Sequence, residues 1–96
     1  MVNQIIDYKF GPHLQQRIND KNILPEEIEI VLNNEYVLRL PGKDGATKLV
    51  LNKTRIKRSL NDPKYINKRK LLRKLYNEGG LTVVLNENTK FIITAY

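Results

Sequence analysis

The chain has 96 residues, no cysteine and a net charge of +7. A chain of this length is one domain and buries roughly 60–65% of the surface its unfolded form exposes, enough for one modest core. The lack of cysteine excludes a disulfide framework, a thiol nucleophile and a thiolate metal site.

The fold must therefore stand on packing alone, which suits a reducing cytoplasm. No stretch approaches a membrane span, and Met1 to Phe10 lacks the basic, apolar, small-residue order of a secretory leader. The expectation is a cytoplasmic protein with no membrane partner.

In chain order, Ile5-Ile6 and Tyr8-Lys9-Phe10 read as a short edge strand or an ordered arm, ended by Gly11-Pro12. Proline favours the first helical position, so a helix is predicted from Pro12 to about Asp20, with Leu14 and Ile18 on its buried stripe. His13 and Arg17, also four apart, share another flank. A second helix starts at Pro25, with Glu26 and Glu27 at the positive end of its dipole and Ile28, Val31 and Leu32 facing the core. Asn33-Asn34 supplies a C-cap, since Asn tolerates the left-handed conformation.

Tyr36 to Leu40 reads as a strand, Pro41 to Gly45 as a loop, and Thr47 to Leu51 as the return strand, with Lys48 and Val50 opposite Leu49 and Leu51. The last sixteen residues hold two β-rich runs, Leu81 to Leu85 and Phe91 to Tyr96, around the polar turn Asn86 to Thr89. They read as an antiparallel hairpin at the centre of the sheet. Between the two hairpins, Arg55-Ile56-Lys57 reads as continued sheet or a mobile stretch, and Asn61-Asp62-Pro63 as a turn. Tyr65 to Asn77 reads as a helix ended by Gly79-Gly80. The fold class is α+β: N-terminal helices packed on a four-stranded antiparallel sheet, with a basic helical insertion before the C-terminal hairpin.

That insertion concentrates the charge. Lys53, Arg55, Lys57, Arg58, Lys64, Lys68, Arg69, Lys70, Arg73 and Lys74 face a single acid, Asp62, so residues 53–74 carry +9 and the rest of the chain −2. Ten cations in one stretch repel one another without a polyanion, and Tyr65 and Tyr76 add rings on which bases can stack. RNA is the expected partner.

Metal chemistry finds few ligands: one histidine, no cysteine and no close carboxylate cluster. Phosphate-loop and dinucleotide fingerprints are absent too, so no cofactor or metal is expected. RNA can be cleaved without metal by attack of its own 2′-hydroxyl, given a proton carrier and cations for the phosphoryl oxygens. His13, Arg17 and Lys48 are sufficient in type for this. A lone histidine is also read as an exposed helix-start residue, and Lys48, Thr94 and Tyr96 as ordinary strand residues; both readings stand at this point.

The helix with an early histidine and arginine (His13-Leu14-Gln15-Gln16-Arg17), the second helix, and strands ending in Leu81-Thr82-Val83-Val84-Leu85 and Ile92-Ile93-Thr94-Ala95-Tyr96 together resemble the barnase–EndoU–colicin–RelE class of small toxin ribonucleases. The likeness is nearest to colicin D-like tRNA-cleaving domains, though Thr and Tyr stand where those domains have Ser and Trp. The resemblance implies His13 as general base or acid, Lys9 near an accompanying lysine, Thr94 on the scissile phosphate, and Tyr96 packing or stacking. It implies a metal-independent endoribonuclease toxin acting on structured RNA, tRNA foremost, restrained by an acidic immunity protein or antitoxin. The alternative is a non-catalytic basic nucleic-acid-binding protein, such as a phage or mobile-element regulator, using residues 53–74 alone. A third reading docks the basic run on an acidic protein, and the oligomeric state is left open.

Overall fold

Leu81, Val83 and Leu85 are buried while Thr82, Val84 and Asn86 between them are half-buried, the period-two pattern of a strand with one face on a core. In the computed structural model, which describes residues 9–10, 16, 18–19 and 23–96, this strand is the middle one of a five-stranded sheet. The strands are β1 (Lys9–Phe10), β2 (Leu38–Pro41), β3 (Thr47–Leu51), β4 (Leu81–Asn86) and β5 (Phe91–Ala95), in the spatial order β1-β5-β4-β3-β2. β2 to β5 form the expected four-stranded antiparallel sheet, but only β4 of the C-terminal hairpin is central in it; β5 is its outer strand. The two-residue β1 adds a parallel edge beside β5.

The hairpin turn is set by Asn86, whose Oδ1 accepts from the N–H of Asn88 and of Thr89 at 2.9 and 3.0 Å. Such side-chain capture of local backbone donors is what favours Asn in turns. Beyond the turn, Val84 pairs with Thr94 but Leu85 with Ile92, so Ile93 is an extra residue in β5. This bulge turns Ile93 and Thr94 away from the core while Ile92 and Ala95 stay buried.

Among the helices that lie wholly within the described residues, three supply the other layer: α1 (Pro25–Leu32), α2 (Lys53–Leu60) and α3 (Arg69–Asn77). In α1 the Glu27 carboxylate reaches back to accept from the Leu24 N–H at 2.8 Å, half of a capping box. Its buried face is Glu27, Ile28, Ile30 and Val31. Asn33 is the C-cap as expected but at φ −105°, outside the left-handed region.

Arg55-Ile56-Lys57 lies within α2 instead of continuing the sheet. The Asn52 side chain starts this helix by accepting from the Arg55 N–H at 3.0 Å, and Ile56 and Ser59 are its buried positions. The segment expected as a helix from Tyr65 divides in two. Pro63–Lys68 is a 3-10 turn capped by Asp62, and α3 proper begins at Arg69.

The core joins Ile28 and Val31 of α1, Ile56 of α2 and Leu72 and Leu75 of α3 to Leu49, Leu51, Val83, Leu85 and Ile92 of the sheet. The helical layer thus covers one sheet face. Among the described residues no helix is long and apolar enough to cross a membrane. The predicted helix from Pro12 falls mostly outside the described residues. Gln16, Ile18 and Asn19 are helical, and Ile18 packs half-buried against the core.

β2 starts at Leu38 rather than Tyr36 because the Tyr36 backbone is engaged elsewhere. Its N–H donates to Asn34 Oδ1 at 2.8 Å, and its carbonyl accepts from Arg55 Nη1 at 2.8 Å. The same corner is tied down by Asn34 Nδ2 donating to Ser59 Oγ at 2.8 Å and the Glu35 N–H donating to the Tyr65 hydroxyl at 2.9 Å. The basic insertion is therefore bonded to the segment joining α1 to β2.

Candidate nucleic-acid interface

The ten basic residues of 53–74 sort into two groups once their surroundings are known. Three are taken up by the fold. Arg55 holds the Tyr36 carbonyl, Lys64 Nζ lies 2.6 Å from Glu35 Oε2, and Lys74 Nζ lies 2.9 Å from both Glu27 and Glu78. The carboxylates beside Lys64 and Lys74 hold both ammonium groups above the ordinary lysine range, chiefly through the hydrogen bonds to Glu35 and to Glu78 respectively. A fourth, Lys53, stands over the Tyr76 ring at 5.1 Å from its centroid.

The remaining six are Lys57 and Arg58 on α2 and Lys68, Arg69, Lys70 and Arg73 on and before α3. All are exposed, and none is paired with a carboxylate among the described residues. Their placement follows from helix geometry. Leu72 and Leu75 of α3 turn to the core, which forces Arg69, Lys70 and Arg73 outward.

Tyr65 is not a stacking platform. It is buried, its hydroxyl accepts from Glu35, and its ring packs tilted against Tyr36 at 6.2 Å between centroids. Tyr76 is half-buried with Lys53 on its face. The six cations therefore present charge beside, at most, the one part-covered ring of Tyr76.

The other candidate residues lie on the opposite side of the sheet. Lys48 pairs with Val84 and Val84 with Thr94, so Lys48 and Thr94 lie in one row across the face away from the helices. Two strand spacings separate them, roughly 10 Å. Tyr96 extends this face by one row, bonded to Thr82 through two backbone hydrogen bonds of 2.7 and 2.9 Å, and is 54% exposed. Beside Lys48 is an open hollow of about 470 Å³ lined by Asp44, Val84, Asn86 and Ile93 among others. Arg39 is not part of this face. It pairs in register with Leu49 and bonds Glu87 at 3.2 Å. Glu87 also accepts from Thr47 Oγ1 at 2.9 Å, which with Arg39 holds its carboxyl below the ordinary glutamate range.

His13 and Arg17, the expected proton carrier and phosphate ligand, lie outside the described residues. Among the described residues no group of three or more His, Cys, Asp or Glu side chains is placed to hold a metal ion. Lys48, Thr94 and Tyr96 thus share a face, and the basic insertion occupies the other layer.

The acidic partners of Lys64 and Lys74 escape sequence reading for a plain reason. Lys74 and Glu78 are four apart and legible as a helix pair, but Glu27 is 47 positions from Lys74 and Glu35 is 29 from Lys64. Comparison of the chain with protein-family models, with curated proteins and with solved structures finds no match.

Proposed function

We propose that this protein binds RNA by its phosphate backbone through the outer face of α2 and α3. The observation that carries this reading is the cluster Lys57, Arg58, Lys68, Arg69, Lys70 and Arg73, exposed and without a carboxylate partner among the described residues. A face built to be soluble alone would intersperse acids among these cations; Glu26 and Glu29 border only the Lys68 end, across a hollow they share with Lys64 and Lys68. Phosphates satisfy such cations and release counterions in doing so.

The test is fluorescence anisotropy with labelled tRNA over a range of salt. Neutralising six phosphates gives a slope of log affinity against log salt of roughly −4 to −5. Binding that resists salt, or survives replacement of Lys68, Lys70 and Arg73 together by Ala, would rule the interface out. An acidic antitoxin-like protein is the second partner this face suits.

Cleavage is a second reading, favoured by one observation: the row that carries Lys48 and Thr94 across the sheet, with an open hollow beside Lys48. On this reading the protein is a metal-independent endoribonuclease toxin. His13 moves protons, Arg17 and Lys48 stabilise phosphoryl charge, Thr94 positions the phosphate, and the helical face grips RNA outside the site. Wild type, His13→Ala and Lys48→Ala are incubated with tRNA in EDTA and resolved on a denaturing gel. Discrete fragments from wild type alone support it; intact RNA in every lane leaves the binding function without the chemistry.

A further inference from the structure

We infer that the groove between α2 and α3 receives a single unstacked nucleotide of RNA, so that the protein prefers RNA carrying a bulge or loop over a continuous duplex. This rests on the RNA-binding reading above and specifies its substrate class. Lys53, Lys57 and Leu60 recur at i, i+4 and i+7 and share one flank of α2. Arg73, Tyr76 and Asn77 recur at i, i+3 and i+4 on the facing flank of α3. Between them is a groove of about 330 Å³ lined by Lys57, Leu60, Arg73, Tyr76 and Asn77.

Its composition is specific in kind. The half-buried Leu60 and Tyr76 make an apolar floor and Lys57 and Arg73 stand exposed on opposite walls, while Lys53, outside the lining, lies over the Tyr76 ring. Among the described residues no carboxylate lines it. An apolar floor between two cationic walls matches a base with a phosphate on either side. A stacked duplex offers phosphates but keeps its bases inside, and would leave the floor unfilled. Asn77 adds an amide with both donor and acceptor for a base edge. It is exposed and makes no side-chain hydrogen bond among the described residues.

The test uses the full chain and two labelled RNA probes: a fully paired short duplex, and the same duplex with one unpaired uridine. Wild type is expected to bind the bulged probe about tenfold more tightly, the worth of one base–aromatic contact. Tyr76→Leu and Asn77→Leu are each expected to narrow that ratio towards unity while the paired duplex binds as before; Tyr76→Phe is expected to keep it. Equal affinity of wild type for both probes overturns the inference, as does a preference that survives Tyr76→Leu and Asn77→Leu. Should Tyr76→Leu lose its helical circular dichroism, Asn77→Leu and the wild-type comparison decide. Failure of both probes to bind wild type would instead overturn the RNA-binding reading itself.

Discussion

Gly80 shows how one atom's absence positions the basic insertion. It closes α3 in a Schellman arrangement, its N–H donating to the Leu75 carbonyl at 2.8 Å while the Gly79 N–H donates to that of Tyr76 at 3.1 Å. Both glycines have positive φ, 93° and 102°. Only Gly80 also lies against the sheet: a Cβ there would meet the Leu51 carbonyl oxygen at 2.5 Å, whereas nothing lies within 4 Å of one on Gly79. Gly79→Ala is therefore expected to cost the backbone strain alone, about 1 kcal/mol. Gly80→Ala should cost clearly more, about 3 kcal/mol, because backbone must move as well. Urea unfolding of the two variants checks the order, and equal losses would show that the close approach is relieved without strain.

At the scale of elements, α2 and the corner from Asn34 to Tyr36 depend on polar contacts. Asn52→Ala removes the α2 cap and should lower stability by about 1 kcal/mol in chemical denaturation. The Tyr36 hydroxyl donates to Asp62 Oδ2 at 2.7 Å. That bond, with the Lys64 N–H second, holds the Asp62 carboxyl below its ordinary range, and the same bond raises the Tyr36 hydroxyl above 10.0. A lowered carboxyl contributes stability above its unfolded pKa and loses it as pH falls through the folded value. A raised phenol contributes below its unfolded pKa and loses it as pH rises through the folded value. The contact therefore stabilises across neutral pH and fades at both ends. Tyr36→Phe should flatten the dependence of the urea midpoint on pH at the acid and alkaline limits; an unchanged curve would show that the bond carries no linkage.

The elements differ in how plainly the sequence announces them. Thr47 to Leu51 and Leu81 to Leu85 are compact runs of β-formers bounded by turn residues, and Pro25 with Glu26 and Glu27 marks a helix start. In α2 only Ile56 and Ser59 are buried, so its period is hidden among cations, and Asn52 is the one local signal. The bulge at Ile93 has no signature in the run of four β-formers Phe91 to Thr94.

For the whole molecule, segregation of charge was legible, but its division into engaged and free cations was not. That division depends on Glu27 and Glu35, which reach the insertion only through the tertiary fold. It makes a direct prediction. Lys70→Ala should reduce the salt slope of RNA binding by about 1, as loss of one phosphate contact does. Lys64→Ala, equal in formal charge, should change that slope far less, because Glu35 already neutralises it. Equal effects in a titration of both variants would mean that only net charge matters.

The opposition of a cationic helical layer to a sheet face bearing Lys48 and Thr94 also bears on the timing of encounter. A molecule with six exposed cations grouped on its helical layer, as among the described residues here, experiences a torque near a polyanion and arrives with that side leading. Long-range attraction then acts on capture more than on release, so stopped-flow association with tRNA should slow steeply with salt while dissociation changes less. On the RNA-binding reading, the sheet face stays turned outward during that first contact, available to a second segment of the same RNA or to another macromolecule while the first stays held.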